Sequence, residues 1–126
     1  MAKATSSLMG GIFEVEQEGD TIVAVPAVDL RELDYQRIEA GARAILELLN
    51  GTGVTNVVLD FRKTDYYGST ALGFFLKLWK RVRDRKGRMA FCNVSDHEKE
   101  ILQVTSLDRL WPVCPSRNEA LAAVRG

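Results

Sequence analysis

A chain of 126 residues is one domain's worth, and a domain of this size removes roughly 65–70% of its unfolded surface from water, enough for a core without staples. Hydrophobic residues make up 46% and charged residues 27%, a balance that excludes a wholly disordered chain. The 17 basic and 17 acidic side chains cancel, so the net positive excess with which nucleic-acid binders neutralise phosphates is missing.

Residues 1–10 are small and polar and are expected as a flexible N-terminal tail, leaving 11–126 as the folded domain. They lack the apolar run of a signal peptide, and no stretch approaches a membrane span, so a cytoplasmic protein is expected. The alternation Phe13-Glu14-Val15-Glu16 predicts a first strand. Gly19-Asp20 marks a turn into the β-branched run Thr21 to Val25, closed by Pro26, which completes a hairpin.

A helix is predicted from about Asp34 to Leu49, because Ile38, Ala42, Ile45, Leu46 and Leu49 recur on one helical face. Asn50-Gly51-Thr52-Gly53 ends it. Val54 to Leu59 follows as a strand too apolar to face water on either side. The segment 60–68 reads as a loop, and Ser69 or its neighbour caps a long helix to about Arg85, which Gly87 stops. Met89 to Val94 predicts a strand, Ser95-Asp96 cap a third helix to about Val104, Leu110 to Val113 predicts a short strand, and Ser116 to Arg125 a last helix. Helical crossovers favour parallel pairing. The expected fold is therefore a single α/β domain with a mixed, mostly parallel sheet of about five strands and helices packed mainly on one side.

Catalytic signatures are thin. The one histidine, His97, sits between Asp96 and Glu98 in the first turn of the third helix, where a solvated role is expected. No Gly-x-Ser-x-Gly elbow surrounds Ser69, the only serine that could pair with it. Cys92 and Cys114 lie in apolar surroundings and read as reduced structural thiols. No metal-ligand spacing and no glycine-rich phosphate loop occur, so neither a metal nor a cofactor is expected. The basic run Lys77 to Arg88 reads as a solvated helix face.

The informative segment is Tyr67-Gly68-Ser69-Thr70-Ala71-Leu72-Gly73-Phe74. Small residues gather there at a helix entry, where free backbone N–H groups favour an added anion. Leu72, Phe75, Trp79 and Val82 form one apolar stripe on this helix. Ala71, Phe74 and Leu78 form a second, which either widens the core contact or offers a docking surface beside Ser69.

Three segments together resemble the STAS domain family, and within it the bacterial anti-sigma-factor antagonists. The strand Val57-Val58-Leu59-Asp60 leads into Gly68-Ser69-Thr70-Ala71-Leu72-Gly73, similar to the family's Asp-Ser-Ser/Thr-Gly-Leu-Gly. Gly87 to Val94 resembles the strand after the long helix, and Ser95 to Trp111 the closing helix and its turn. The similarity spans about Phe13 to Val124. It implies a non-enzymatic regulator that binds an anti-sigma factor which is also a serine protein kinase, with Ser69 at the phospho-acceptor position and a cognate phosphatase reversing the modification. Asp29, Gly68, Thr70, Leu72, Gly73 and Phe74 are the expected partner-binding residues, and a monomer or weak homodimer the expected state. Gly68 stands where the family has an acidic residue, and Ala71 where it has glycine. These two differences motivate the alternative of a non-phosphorylated scaffold or docking module.

Overall fold

The computed structural model describes residues 4–9, 11–51 and 53–125, with only the backbone path described for 4–9. The chain runs β1 (Ala4–Met9), β2 (Phe13–Glu18), β3 (Thr21–Pro26), α1 (Tyr35–Leu49), β4 (Asn56–Asp60), α2 (Ser69–Asp84), β5 (Met89–Cys92), α3 (Asp96–Val104), β6 (Val113–Cys114) and α4 (Arg117–Arg125). Short 3-10 turns precede α1 (Glu32–Asp34) and follow α3 (Leu107–Arg109). Six strands form one sheet in sequential order. β1, β2 and β3 are antiparallel neighbours, and β3 through β6 are parallel.

Within the segment expected as a tail, Ala4–Met9 pairs along β2, from Ala4 opposite Gln17 to Met9 opposite Phe13. Residues 1–3 and 10 lie outside the described residues. A hydrophobic pattern is not what selects this strand; β2 otherwise presents an open edge whose backbone groups need partners. The strand count rises accordingly from about five to six.

Right-handed crossovers stepping in one direction across the sheet put successive helices on the same face. Alternation along the central strands then divides the interior in two. Ile22, Ala24, Val57, Leu59, Met89 and Phe91 face the larger core, which α1, α2 and α3 close with Ile38, Ile45, Phe75, Leu78 and Leu102. Val23, Val25, Val58, Ala90 and Cys92 point to the opposite face, where Ala120, Leu121 and Val124 of α4 cover them. β4 is buried along its whole length, its apolar centre Val57-Val58-Leu59 as predicted and its polar ends Asn56 and Asp60 with it. The second stripe of α2 belongs to the larger core: Ala71, Phe74 and Leu78 are all buried, and Phe74 packs on Phe13 with ring centroids 5.6 Å apart.

Gly87 follows the end of α2 for a reason other than a left-handed backbone. Lys86 takes that conformation (φ 65°), while the Gly87 N–H donates to the Val82 carbonyl at 2.8 Å. A Cβ on Gly87 would overlap the Thr55 backbone carbonyl, so only glycine allows the chain to pass so close to the start of β4. The expected strand Leu110 to Val113 is shifted, because the 3-10 turn at 107–109 and buried Trp111 take up its beginning. Cys92 is buried, Cys114 half-buried, and both thiols are free.

Candidate functional site

Ser69 is the first residue of α2 and is exposed. It does not cap the helix. Gly68 occupies the cap position, in extended backbone and with no side-chain hydrogen bond of its own. The missing acceptor comes from another part of the chain: Glu32 Oε2 accepts the Ser69 N–H at 3.3 Å, and Glu32 Oε1 accepts the Tyr66 hydroxyl at 3.1 Å. Hydrogen bonds from backbone N–H groups near Glu32 and at Ser69, together with the Tyr66 hydroxyl, hold this exposed carboxyl below the usual carboxylate range; a side-chain hydrogen bond with Ser69 adds a smaller contribution. Glu32 therefore lies against the first free N–H of α2, the backbone N–H of Ser69 itself.

This approach explains Gly68. A Cβ there would come within 2.7 Å of both Glu32 carboxylate oxygens, closer than non-bonded atoms tolerate. Gly68, one of the expected partner-binding residues, is consequently buried beneath Glu32. Gly73, one helical turn on, remains open, with nothing within 4 Å of a Cβ placed on it. Thr70 and Leu72 are half-buried, and Phe74 is buried. Thr70, Gly73, Phe74 and Lys77 line a groove of about 350 Å³ against Ile38, Ala42, Arg43 and Leu46 of α1.

Two backbone ties hold the segment carrying Glu32 to the segment before α2. The Leu30 N–H donates to the Tyr66 carbonyl at 3.2 Å, and the Gly68 N–H donates to the Leu30 carbonyl at 2.8 Å. Asp29 adds a side-chain tie, its Oδ1 accepting the Asp65 N–H at 3.0 Å. Asp29 thus orders the loop rather than reaching Ser69. On the far side, Ser95 caps α3 in a capping box with Glu98, and the Ser95 hydroxyl donates to the Asp65 carbonyl at 3.0 Å. His97 is exposed and stacks on Tyr66, with centroids 5.7 Å apart and planes inclined by 15°. Among the described residues no group of three or more His, Cys, Asp or Glu side chains is placed to hold a metal ion, and no helix is long and apolar enough to cross a membrane.

Sequence reasoning missed Glu32. Its only local signal is a carboxylate in a turn followed by exposed Leu33, and nothing in the spacing connects it to a serine 37 positions later. Glu98 was likewise passed over. It is wholly buried, its Oε2 accepting the Thr64 hydroxyl at 2.8 Å and its Oε1 the Ser95 N–H at 2.8 Å, while its backbone carbonyl accepts the buried Tyr67 hydroxyl at 2.8 Å. Glu98 thereby anchors the loop that delivers Gly68 and Ser69. Burial raises its pKa, opposed by the hydrogen bonds from Ser95 and Thr64. A carboxyl raised in the folded state contributes stability below its unfolded pKa of about 4.5 and loses it as pH rises through the folded value. Glu98→Gln should therefore gain on the wild type as pH increases, its urea midpoint minus that of the wild type being more positive at pH 7.5 than at pH 4.5. An equal difference at both pH values would remove the assignment.

The STAS domain family matches residues 15–120 of this chain. BtrV of Bordetella bronchiseptica, which bears the name of an anti-sigma factor antagonist, is 32% identical over 73 residues. That match covers 58% of this chain and 63% of BtrV, just under two thirds of the relative's length. An anti-sigma-factor-antagonist (STAS) domain protein of Planctomyces limnophilus has a similar structure, with a TM-score of 0.78 at 30% identity over 90% of this chain and 98% of that one. The anti-sigma factor antagonist SpoIIAA in its unphosphorylated form superposes with a TM-score of 0.75 at 21% identity, covering 90% of this chain and 96% of its own, and the Bacillus protein is also known in a phosphorylated form.

Proposed function

Because the chain belongs to the STAS domain family, we propose that it is a partner-switching regulator of the anti-sigma-factor-antagonist type, controlled by phosphorylation of Ser69. In this reading the unmodified protein binds an anti-sigma factor that is also a serine kinase. The kinase transfers the γ-phosphoryl group of ATP to Ser69 Oγ: the new O–P bond forms as the bond to the ADP oxygen breaks, and the hydroxyl proton is released. A phosphatase returns the hydroxyl by hydrolysis. The observation that carries the reading is the exposed hydroxyl at the first position of α2, matching the family's phospho-acceptor position. Exposed Gly73 and half-buried Thr70 and Leu72 on the same helix, with the edge of Phe74 lining the groove, are the proposed contact residues; Asp29 and Gly68 act by shaping the approach.

Phosphate adds about −1.5 to −2 charges. At an interface these must be desolvated or meet partner charge, and every ~1.4 kcal/mol of that cost is a tenfold loss of affinity. Ser69→Asp should bind the cognate anti-sigma factor at least tenfold more weakly than Ser69→Ala, and incubation with that kinase and ATP should add one phosphate to wild type and none to Ser69→Ala by mass spectrometry. Equal binding of Ser69→Asp and Ser69→Ala would refute the switch. An unmodified wild-type chain after incubation would favour the alternative of a non-phosphorylated scaffold, which Gly68 in the family's acidic position supports.

A further inference from the structure

The site holds two groups with competing claims on one set of donors. Glu32 already occupies the anion-favouring N-terminus of α2 through the backbone N–H of Ser69, the residue whose hydroxyl would carry the phosphate. We propose that Glu32 is a latch coupling the state of Ser69 to the turn at residues 31–34: phosphate on Ser69 expels the Glu32 carboxylate and releases that turn. The proposal rests on Ser69 being the modified residue, and it adds a conformational consequence to the modification.

The argument is one of charge and tethering. A phosphate tied covalently to Ser69 cannot leave the helix N-terminus, whereas the exposed Glu32 carboxylate can. Two anions beside the same N–H repel each other, and the dipole that favours one cannot satisfy both. When Glu32 leaves, the Tyr66 hydroxyl also loses its acceptor.

Little else holds the turn. Its backbone hydrogen bonds are local, from the Asp34 N–H to the Arg31 carbonyl at 2.9 Å, from the Arg31 N–H to the Asp29 carbonyl at 3.1 Å and from the Tyr35 N–H to the Glu32 carbonyl. The flanking ion pairs, Arg31 with Asp29 and Arg37 with Asp34, are long at 3.9 and 4.0 Å and open to solvent, where such pairs contribute little. The hinge is equally defined. Leu30 is buried and fixed by both backbone ties to Tyr66 and Gly68, and α1 begins at Tyr35. Motion is confined to four residues, and they carry Leu33, whose side chain is 94% exposed. The latch therefore controls how a large apolar side chain is presented beside the switch serine.

The test uses the full-length protein with phosphoserine installed at position 69 by codon reassignment, and backbone 15N relaxation as readout. Order parameters at 31–34 should fall from the rigid range near ~0.85 to below ~0.6 on phosphorylation, while those of Leu30 and α1 stay unchanged. Glu32→Gln keeps the acceptor oxygen and offers an amide that can donate to phosphate, so its turn should stay ordered in both states. An unchanged turn in the phosphorylated wild type overturns the latch, and so does an equal loosening in Glu32→Gln. Binding separates this outcome from the switch itself: a phosphorylated protein with an ordered turn that still releases its anti-sigma factor removes only the latch, and one with a loosened turn that stays bound removes only the switch.

Discussion

Replacing Asp60 with alanine is expected to lower stability by about 3 kcal/mol or more, the cost typical of removing one partner from a buried ion pair. Asp60 ends β4 with 1% of its surface exposed. Its Oδ2 accepts Arg117 Nε at 3.0 Å, and its Oδ1 accepts Asn93 Nδ2 at 2.9 Å and the Arg62 N–H at 3.1 Å. Arg117 also reaches Glu16 at 3.1 Å, so the network ties β2, β4 and the turn after β5 to the first residue of α4. The alanine variant leaves a mostly buried guanidinium with a single carboxylate and an asparagine without its acceptor. Urea denaturation would show a lower midpoint at an unchanged slope. Adding Arg117→Ala to Asp60→Ala should cost less than the two single effects summed, because the charge stranded by the first change is then gone. A loss under about 1 kcal/mol for Asp60→Ala would contradict the network's role.

Phe75→Ala is the second large effect, at about 3–5 kcal/mol. Phe75 is fully buried at the centre of an aromatic cluster, with ring centroids 5.7 Å from Phe61, 5.2 Å from Tyr67, 5.8 Å from Phe74 and 5.0 Å from Phe91. Removing the ring forfeits its transfer free energy and leaves a cavity that its ring neighbours, fixed on α2, β5 and the loop between β4 and α2, cannot collapse to fill. Tyr67 immediately precedes Gly68 and Ser69, so the loss should reach the switch through the loop as well as the core. Phe75→Leu keeps much of the volume and should cost less than half as much. Leu33→Ala, at an exposed position, should stay within about 0.5 kcal/mol of wild type by the same denaturation measurement. A Phe75→Ala variant as stable as Leu33→Ala would contradict the core assignment.

Both changes act through α2 or the sheet ends beneath it, which accounts for the precision with which Ser69 is presented. The helix is fixed laterally by Phe75 and its ring partners. Its entry is fixed by Gly68 against Leu30 and by Tyr67 against the Glu98 carbonyl. Glu32, by contrast, meets Ser69 and Tyr66 through exposed contacts, and the proposed latch acts there.

The elements themselves were legible from the chain alone. Helix period located α1 and α2 to within a residue or two, the capping pair at Ser95 located α3, and the apolar run 57–59 announced a strand buried on both faces. Ser69 at the head of α2 was legible for the same reason: a cluster of small residues between a buried strand and an amphipathic helix is a signal within ten residues of sequence. These features are governed by backbone propensity and short-range periodicity, which a linear pattern encodes directly.

Tertiary structure alone decided what meets across longer distances. It paired Ala4–Met9 with β2, sent α4 to the opposite face of the sheet, turned the second stripe of α2 into core, and joined Asp60 to Arg117 across 57 positions. It also brought Glu32 over Gly68, so that the carboxylate the chain lacks beside its serine arrives from another segment. Such contacts follow from strand order and crossover handedness, which set the distance in space between residues whose separation along the chain says nothing of it.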